Sequence, residues 1–72
     1  MMNKEGFKKG DVLFSESLSR YDKIYPYTYH IVDVSEHMVF FRRNNGALES
    51  LPNELMRYAT TIEKIKGFLY KN

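Results

Sequence analysis

Hydrophobic and β-branched residues gather in two runs near the middle of the chain, Tyr27-Thr28-Tyr29-His30-Ile31-Val32-Asp33-Val34 and Met38-Val39-Phe40-Phe41-Arg42-Arg43, either side of Ser35-Glu36-His37. Runs of this length, rich in Val, Ile, Tyr and Phe and bounded by polar turn residues, predict β-strands. A third run, Ala47 to Leu51, follows Asn44-Asn45-Gly46, residue types that tolerate the positive φ of a tight hairpin turn. Side chains alternate along a strand, so Tyr25, Tyr27, Tyr29 and Ile31 share one face, and Thr28, His30, Val32 and Val34 the other. Both faces carry apolar groups, and the apolar bias shifts from odd to even positions. That pattern predicts a long bent strand that passes from one sheet to another through a bulge. Met38, Phe40 and Arg42 oppose Val39, Phe41 and Arg43 in the next strand, which again implies partial burial on both sides.

Before this hairpin, Gly10 and Asp11 mark a turn and Val12-Leu13-Phe14 a first strand. Residues 1–6 are polar apart from the two methionines and are expected to fray. Ser15 to Ile24 shows no sustained period and reads as a long loop, the kind of segment that forms a binding rim. Pro26 stands where a strand can begin, since it has no N–H to give to the interior of a sheet.

The C-terminal third admits two readings. One is a short helix or 3₁₀ turn over Pro52 to Tyr58, with Ser50 as a candidate cap, followed by a last strand over Thr60 to Lys66. The other is one continuous helix, favoured by the stripe Leu51, Leu55, Tyr58, Ile62, Ile65 and Leu69. The first is preferred because Thr60, Thr61 and Ile62 are β-branched in succession and Gly67 follows. The expected core is Val12, Phe14, Ile31, Val32, Val34, Val39, Phe41, Leu48, Leu55, Ile62 and Ile65.

Strand, long loop, bent strand, strand, tight hairpin, strand, helical turn, strand is an order that resembles an SH3-like barrel. The opening Phe7-x-x-Gly10-Asp11-x-Leu13 is similar to the entry of many such domains. The fold class expected is therefore mostly β: a single small SH3-like barrel of about five strands with a short helical turn before the last strand, the barrel over residues 7–66 and a tail over 67–72. The length, the Lys9-Gly10-Asp11-Val12 opening and the tyrosine-rich strand ending in Ile31-Val32-Asp33-Val34 resemble the YorP-like proteins, small proteins of Bacillus prophages. The resemblance implies an SH3-like barrel and a phage-borne accessory role, and it carries over no site residues.

Composition narrows the chemistry. A chain of 72 residues makes one domain, and at this size only about 60% of the unfolded surface is buried. It has no cysteine, which removes disulfides, thiolate metal sites and a thiol nucleophile and suits the cytoplasm. No signal-peptide core opens the sequence, and no apolar stretch approaches the roughly 20 residues that cross a bilayer, so no membrane partner is expected. The net charge of +2 does not by itself argue for nucleic acid. His30 and His37 stand apart, and Asp11, Asp22, Asp33, Glu36, Glu49, Glu54 and Glu63 are scattered. No catalytic residue, metal ligand or cofactor is expected, because acid–base work needs a pocket that shifts pKa values and a small barrel is filled by its own side chains.

Two groups remain. Tyr21, Tyr25 and Tyr27 flank the long loop and are candidates for a protein-binding face. Lys8, Lys9, Arg42, Arg43, Lys64 and Lys66 are candidates for nucleic-acid binding. The lysines come together, with Phe7, Phe68 and Tyr70 alongside, if the first strand pairs with a last strand over Thr60 to Lys66. The expected function is a monomeric, non-enzymatic protein-interaction module with a host or phage protein as partner. Weak nucleic-acid binding is the alternative.

Overall fold

A computed structural model describes residues 2–21 and 24–69. Asp22 and Tyr70, named above, lie outside the described residues. Five antiparallel strands form one sheet: β1 (Val12–Phe14), β2 (Tyr29–Val34), β3 (Met38–Arg42), β4 (Leu48–Pro52) and β5 (Arg57–Tyr58). A 3₁₀ turn, Asn53–Leu55, links β4 to β5, and a helix, α1 (Thr61–Leu69), follows. The strand order is β4-β3-β2-β1-β5, and the sheet is open, with β4 and β5 as its edges.

The bend expected in the second strand is present. β2 pairs with β1 near its start, Leu13 opposite Tyr29, and with β3 further on, Ile31 opposite Phe41 and Val34 opposite Val39. The register shifts between Ile31 and Asp33, where β2 carries one extra residue opposite β3. The Asn44-Asn45-Gly46 turn also forms. Gly46 has φ of 86° and donates its N–H to the Arg43 carbonyl at 2.8 Å.

Alternation decides the core. Leu13, Tyr29, Ile31, Val39, Phe41 and Leu51 point inward from the strands, joined by Phe7 and Met56 from the connections. Tyr29 and Phe41 meet edge to face with ring centroids 4.8 Å apart. Of the expected core, Phe14, Ile31, Val39 and Phe41 are buried; Val12, Val32, Val34 and Leu55 are half-buried; Leu48, Ile62 and Ile65 are exposed. Leu48 lies opposite Arg42, on the face of the β3–β4 ladder away from Phe41 and Leu51.

The expected last strand over Thr60 to Lys66 is not formed: Thr61–Leu69 is helical, and the strand beside β1 is the two-residue β5. Strands therefore end at Tyr58, not at residue 66, and 67–69 belong to the helix rather than to a tail. Local chemistry explains the change. Thr60 accepts the Glu63 N–H on its Oγ1 at 3.1 Å, and Glu63 Oε1 accepts the Thr60 N–H at 2.9 Å. This reciprocal capping box starts a helix. β-branched side chains lose freedom against a preceding turn, and in the first turn none precedes them. Ser50 caps nothing and stands within β4.

Residues 3–6 are held by hydrogen bonds rather than frayed. Asn3 is buried, and its Nδ2 donates to the Ser35 carbonyl at 2.8 Å and to Asn53 Oδ1 at 2.9 Å. Asn53 Nδ2 donates in turn to the Glu36 carbonyl at 3.2 Å. Two buried amides thus satisfy each other and tie the N-terminus to the β2–β3 turn and to the 3₁₀ turn.

Candidate interaction surfaces

The long loop is folded onto the sheet by local hydrogen bonds and one arginine. The Ser15 hydroxyl accepts the Leu18 N–H at 3.3 Å, and the Tyr21 carbonyl accepts the N–H groups of Ile24 and Tyr25 at 2.9 and 3.0 Å. Leu18 and Tyr25 pack against the core. Arg43, the residue after β3, donates from Nη2 to the Ile24 carbonyl at 2.9 Å and from Nη1 to Glu49 Oε1 at 3.0 Å. Its guanidinium also stands 5.9 Å from the centre of the Tyr25 ring. A rigid hairpin thereby fixes the far end of the loop.

The three candidate tyrosines divide. Tyr21 is 51% exposed and Ile24 57% exposed, and both face solvent. Tyr25 is half-buried beneath Arg43. Tyr27 is half-buried and meets Phe14 edge to face at 5.3 Å. The sequence pattern did not single out Ile24 as a companion of Tyr21.

The basic candidates are spread over three elements. Lys8 Nζ pairs with Asp11 Oδ1 at 2.9 Å, and that carboxylate holds the ammonium above its usual pKa. Lys9 is exposed. Arg42 donates to the Gly46 carbonyl at 2.9 Å, and Arg43 is engaged as described. Lys64 and Lys66 are exposed on α1. The strand pairing expected to bring Lys8 and Lys9 to Lys64 and Lys66 does not exist, since β1 pairs with Arg57–Tyr58. His30 and His37 are both exposed, and no group of three His, Cys, Asp or Glu is placed to hold a metal ion among the described residues.

A further surface went unnoticed in the sequence. Arg57 on β5 grips Glu63 with two bonds of 2.8 Å, Nη1 to Oε1 and Nη2 to Oε2, and lies 4.8 Å above the Phe14 ring. Its side-chain bonds lower the Glu63 carboxyl from 4.5 to about 2. One turn on, Gly67 lies against the buried side chain of Thr28; a Cβ at Gly67 would overlap the Thr28 hydroxyl and come within 2.9 Å of its Cγ2. Glu63 and Gly67 are thus the side of α1 that meets the domain. Ile62, Ile65, Phe68 and Leu69 are 66%, 55%, 77% and 68% exposed. The Thr60-x-x-Glu63 spacing was the signal that would have revealed this helix.

Comparison of the chain with protein-family models, with curated proteins and with solved structures finds no match. Among the described residues, no helix is long and apolar enough to cross a membrane.

Proposed function

We propose that this chain is a non-enzymatic protein-interaction module built on an SH3-like barrel, acting in the cytoplasm as a phage-borne accessory protein of the YorP-like kind. The barrel reading is supported by a bent β2 shared between β1 and β3, a long loop after β1 and a 3₁₀ turn before β5. The docking face is the rim made by Tyr21 and Ile24.

One observation carries this reading: Arg43 clamps the loop to the β3–β4 hairpin at Ile24 while Tyr21 and Ile24 stay in solvent. Backbone already held at Tyr21 and Ile24 by hydrogen bonds loses less conformational freedom on binding. An exposed tyrosine supplies contact area with only two rotatable bonds.

A photo-cross-linking phenylalanine analogue in place of Tyr21, introduced in host cells, tests the assignment. The expected result is one protein adduct that survives nuclease and is absent with the probe at Glu54, an exposed position on the 3₁₀ turn. Arg43→Ala, which releases the loop and leaves position 21 unchanged, is expected to weaken the adduct. Adducts to nucleic acid, or equal labelling from positions 21 and 54, would overturn it.

A further inference from the structure

The helix α1 is turned inside out. An amphipathic helix on a small domain ordinarily lays its apolar stripe on the core. Here the domain holds α1 by a carboxylate and a glycine, and the apolar stripe faces away. At 3.6 residues per turn, Glu63 and Gly67 lie about 160° around the axis from Ile65, one on each side. Ile62, Phe68 and Leu69 all fall within about 60° of Ile65. Lys64 and Lys66 stand about 100° to either side of it, so the apolar stripe is bordered by one ammonium group along each flank. The only acid of the helix, Glu63, is bound by Arg57 on the domain side and adds no negative charge to the outer face.

We infer that the outer face of α1 is a lipid-contacting surface that seats on an anionic phospholipid layer, with Ile62, Ile65, Phe68 and Leu69 entering the headgroup–acyl boundary and Lys64 and Lys66 reaching the phosphates. Charge selects this occupant. A second copy of the chain would bring its own Lys64 and Lys66 against these lysines, in parallel or antiparallel helix pairing, with no carboxylate on the outer face of either helix to separate them. A protein groove would need acidic rims on both sides of an apolar floor. An anionic lipid surface offers that arrangement in every direction: negative charge around, hydrocarbon beneath. Lysine stems lie along apolar surface while their heads stay wet, which suits their position at the border of the stripe. Such a contact lies on the membrane and needs no spanning segment. It is separate from the Tyr21 rim, and each reading can fail without the other.

Sedimentation of the full chain with vesicles tests this. Vesicles of phosphatidylglycerol and phosphatidylcholine are compared with phosphatidylcholine alone, at low and at physiological salt. The expected result is retention on the anionic vesicles only, weakening as salt rises. Ile65→Glu is expected to abolish it. Lys64→Ala with Lys66→Ala is expected to reduce partitioning roughly 25-fold, about fivefold for each lysine near the surface. All three residues are exposed, so circular dichroism should show an unchanged fold. No retention on anionic vesicles, or retention unaffected by Ile65→Glu, would overturn the proposal. So would a concentration-dependent dimer in light scattering that Ile65→Glu dissolves, which would give the face to a second copy.

Discussion

Gly67 in α1 and Thr28 before β2 are in direct contact, the backbone of one lying against the side chain of the other. The contact inverts an ordinary rule. Gly→Ala inside a helix usually stabilises by about 0.5–1 kcal/mol, because glycine loses the most freedom on folding. At Gly67 the added methyl overlaps the Thr28 side chain. Overpacking of this kind costs about 1–3 kcal/mol, so Gly67→Ala is expected to lower stability by about 1–2 kcal/mol in urea unfolding. A Thr28→Ala background removes the two nearest Thr28 atoms and leaves the Cβ at 3.1 Å, so most of the penalty should vanish. An equal penalty in both backgrounds would show that the contact does not set the seat of the helix.

Glu63 makes the seat depend on acid in a defined direction. Its carboxyl lies at about 2 in the folded protein, below its ordinary 4.5, because Arg57 and the Thr60 N–H bind the charged form. A lowered carboxyl contributes stability that is complete above its unfolded value and is lost as the pH falls through the folded one. Helicity measured by far-ultraviolet circular dichroism should therefore hold through pH 5, decline below about 4.5 and reach its floor only below about 2. Glu63→Gln should lose the same contribution at neutral pH and flatten that acid limb, and a limb of unchanged depth in this variant would assign it to other carboxylates.

The hydroxyl of Tyr29 is buried and has no hydrogen-bond partner among the described residues. Burial pushes its pKa upward, so the phenol stays neutral at any ordinary pH. An unsatisfied buried hydroxyl costs about 1–3 kcal/mol. Tyr29→Phe keeps the ring that packs on Phe41 and removes the cost, so it is expected to raise stability by about 1 kcal/mol. A loss of stability on thermal unfolding would mean that the hydroxyl is bonded.

Asn3 is the reverse case, a buried amide with partners on both its nitrogen and its oxygen. Asn3→Ala leaves Asn53 Oδ1 and the Ser35 carbonyl without that donor, while Asn53 Nδ2 keeps only the Glu36 carbonyl. The expected loss is about 2–3 kcal/mol, near the upper end for one unsatisfied group. Asn3→Asp, similar in shape but without the Nδ2 donors, should lose at least as much. Denaturant midpoints of the two variants check both statements.

Much of the sheet was legible because its signals are local. The three-residue β1, the Asn44-Asn45-Gly46 turn and the bend in β2 follow from alternation and turn chemistry. Leu13, Tyr29 and Leu51 were missed as core because both faces of these strands carry apolar groups, and only the pairing shows which face closes. The C-terminal third misled for a different reason. β-branched residues and a glycine weigh against a helix by average propensity, but Thr60 serves as its cap and Gly67 as its contact with Thr28. Ile62 and Ile65 follow a helical stripe that the sequence assigns to a core; its outward direction is fixed by Arg57, a residue no periodicity selects. Tyr21 was legible as a candidate surface residue, whereas the clamp that orders its loop spans 19 positions and leaves no local mark.

The amide pair of Asn3 and Asn53 spans 50 positions of the chain. Contacts so distant in sequence form slowly, because a long loop must close before they contribute anything. On the ribosome Asn3 must wait for the 50 positions up to Asn53 to emerge before its lock can engage. Until then β1 to β4 must pair without that lock, and folding kinetics should show the residues around Asn3 becoming protected last.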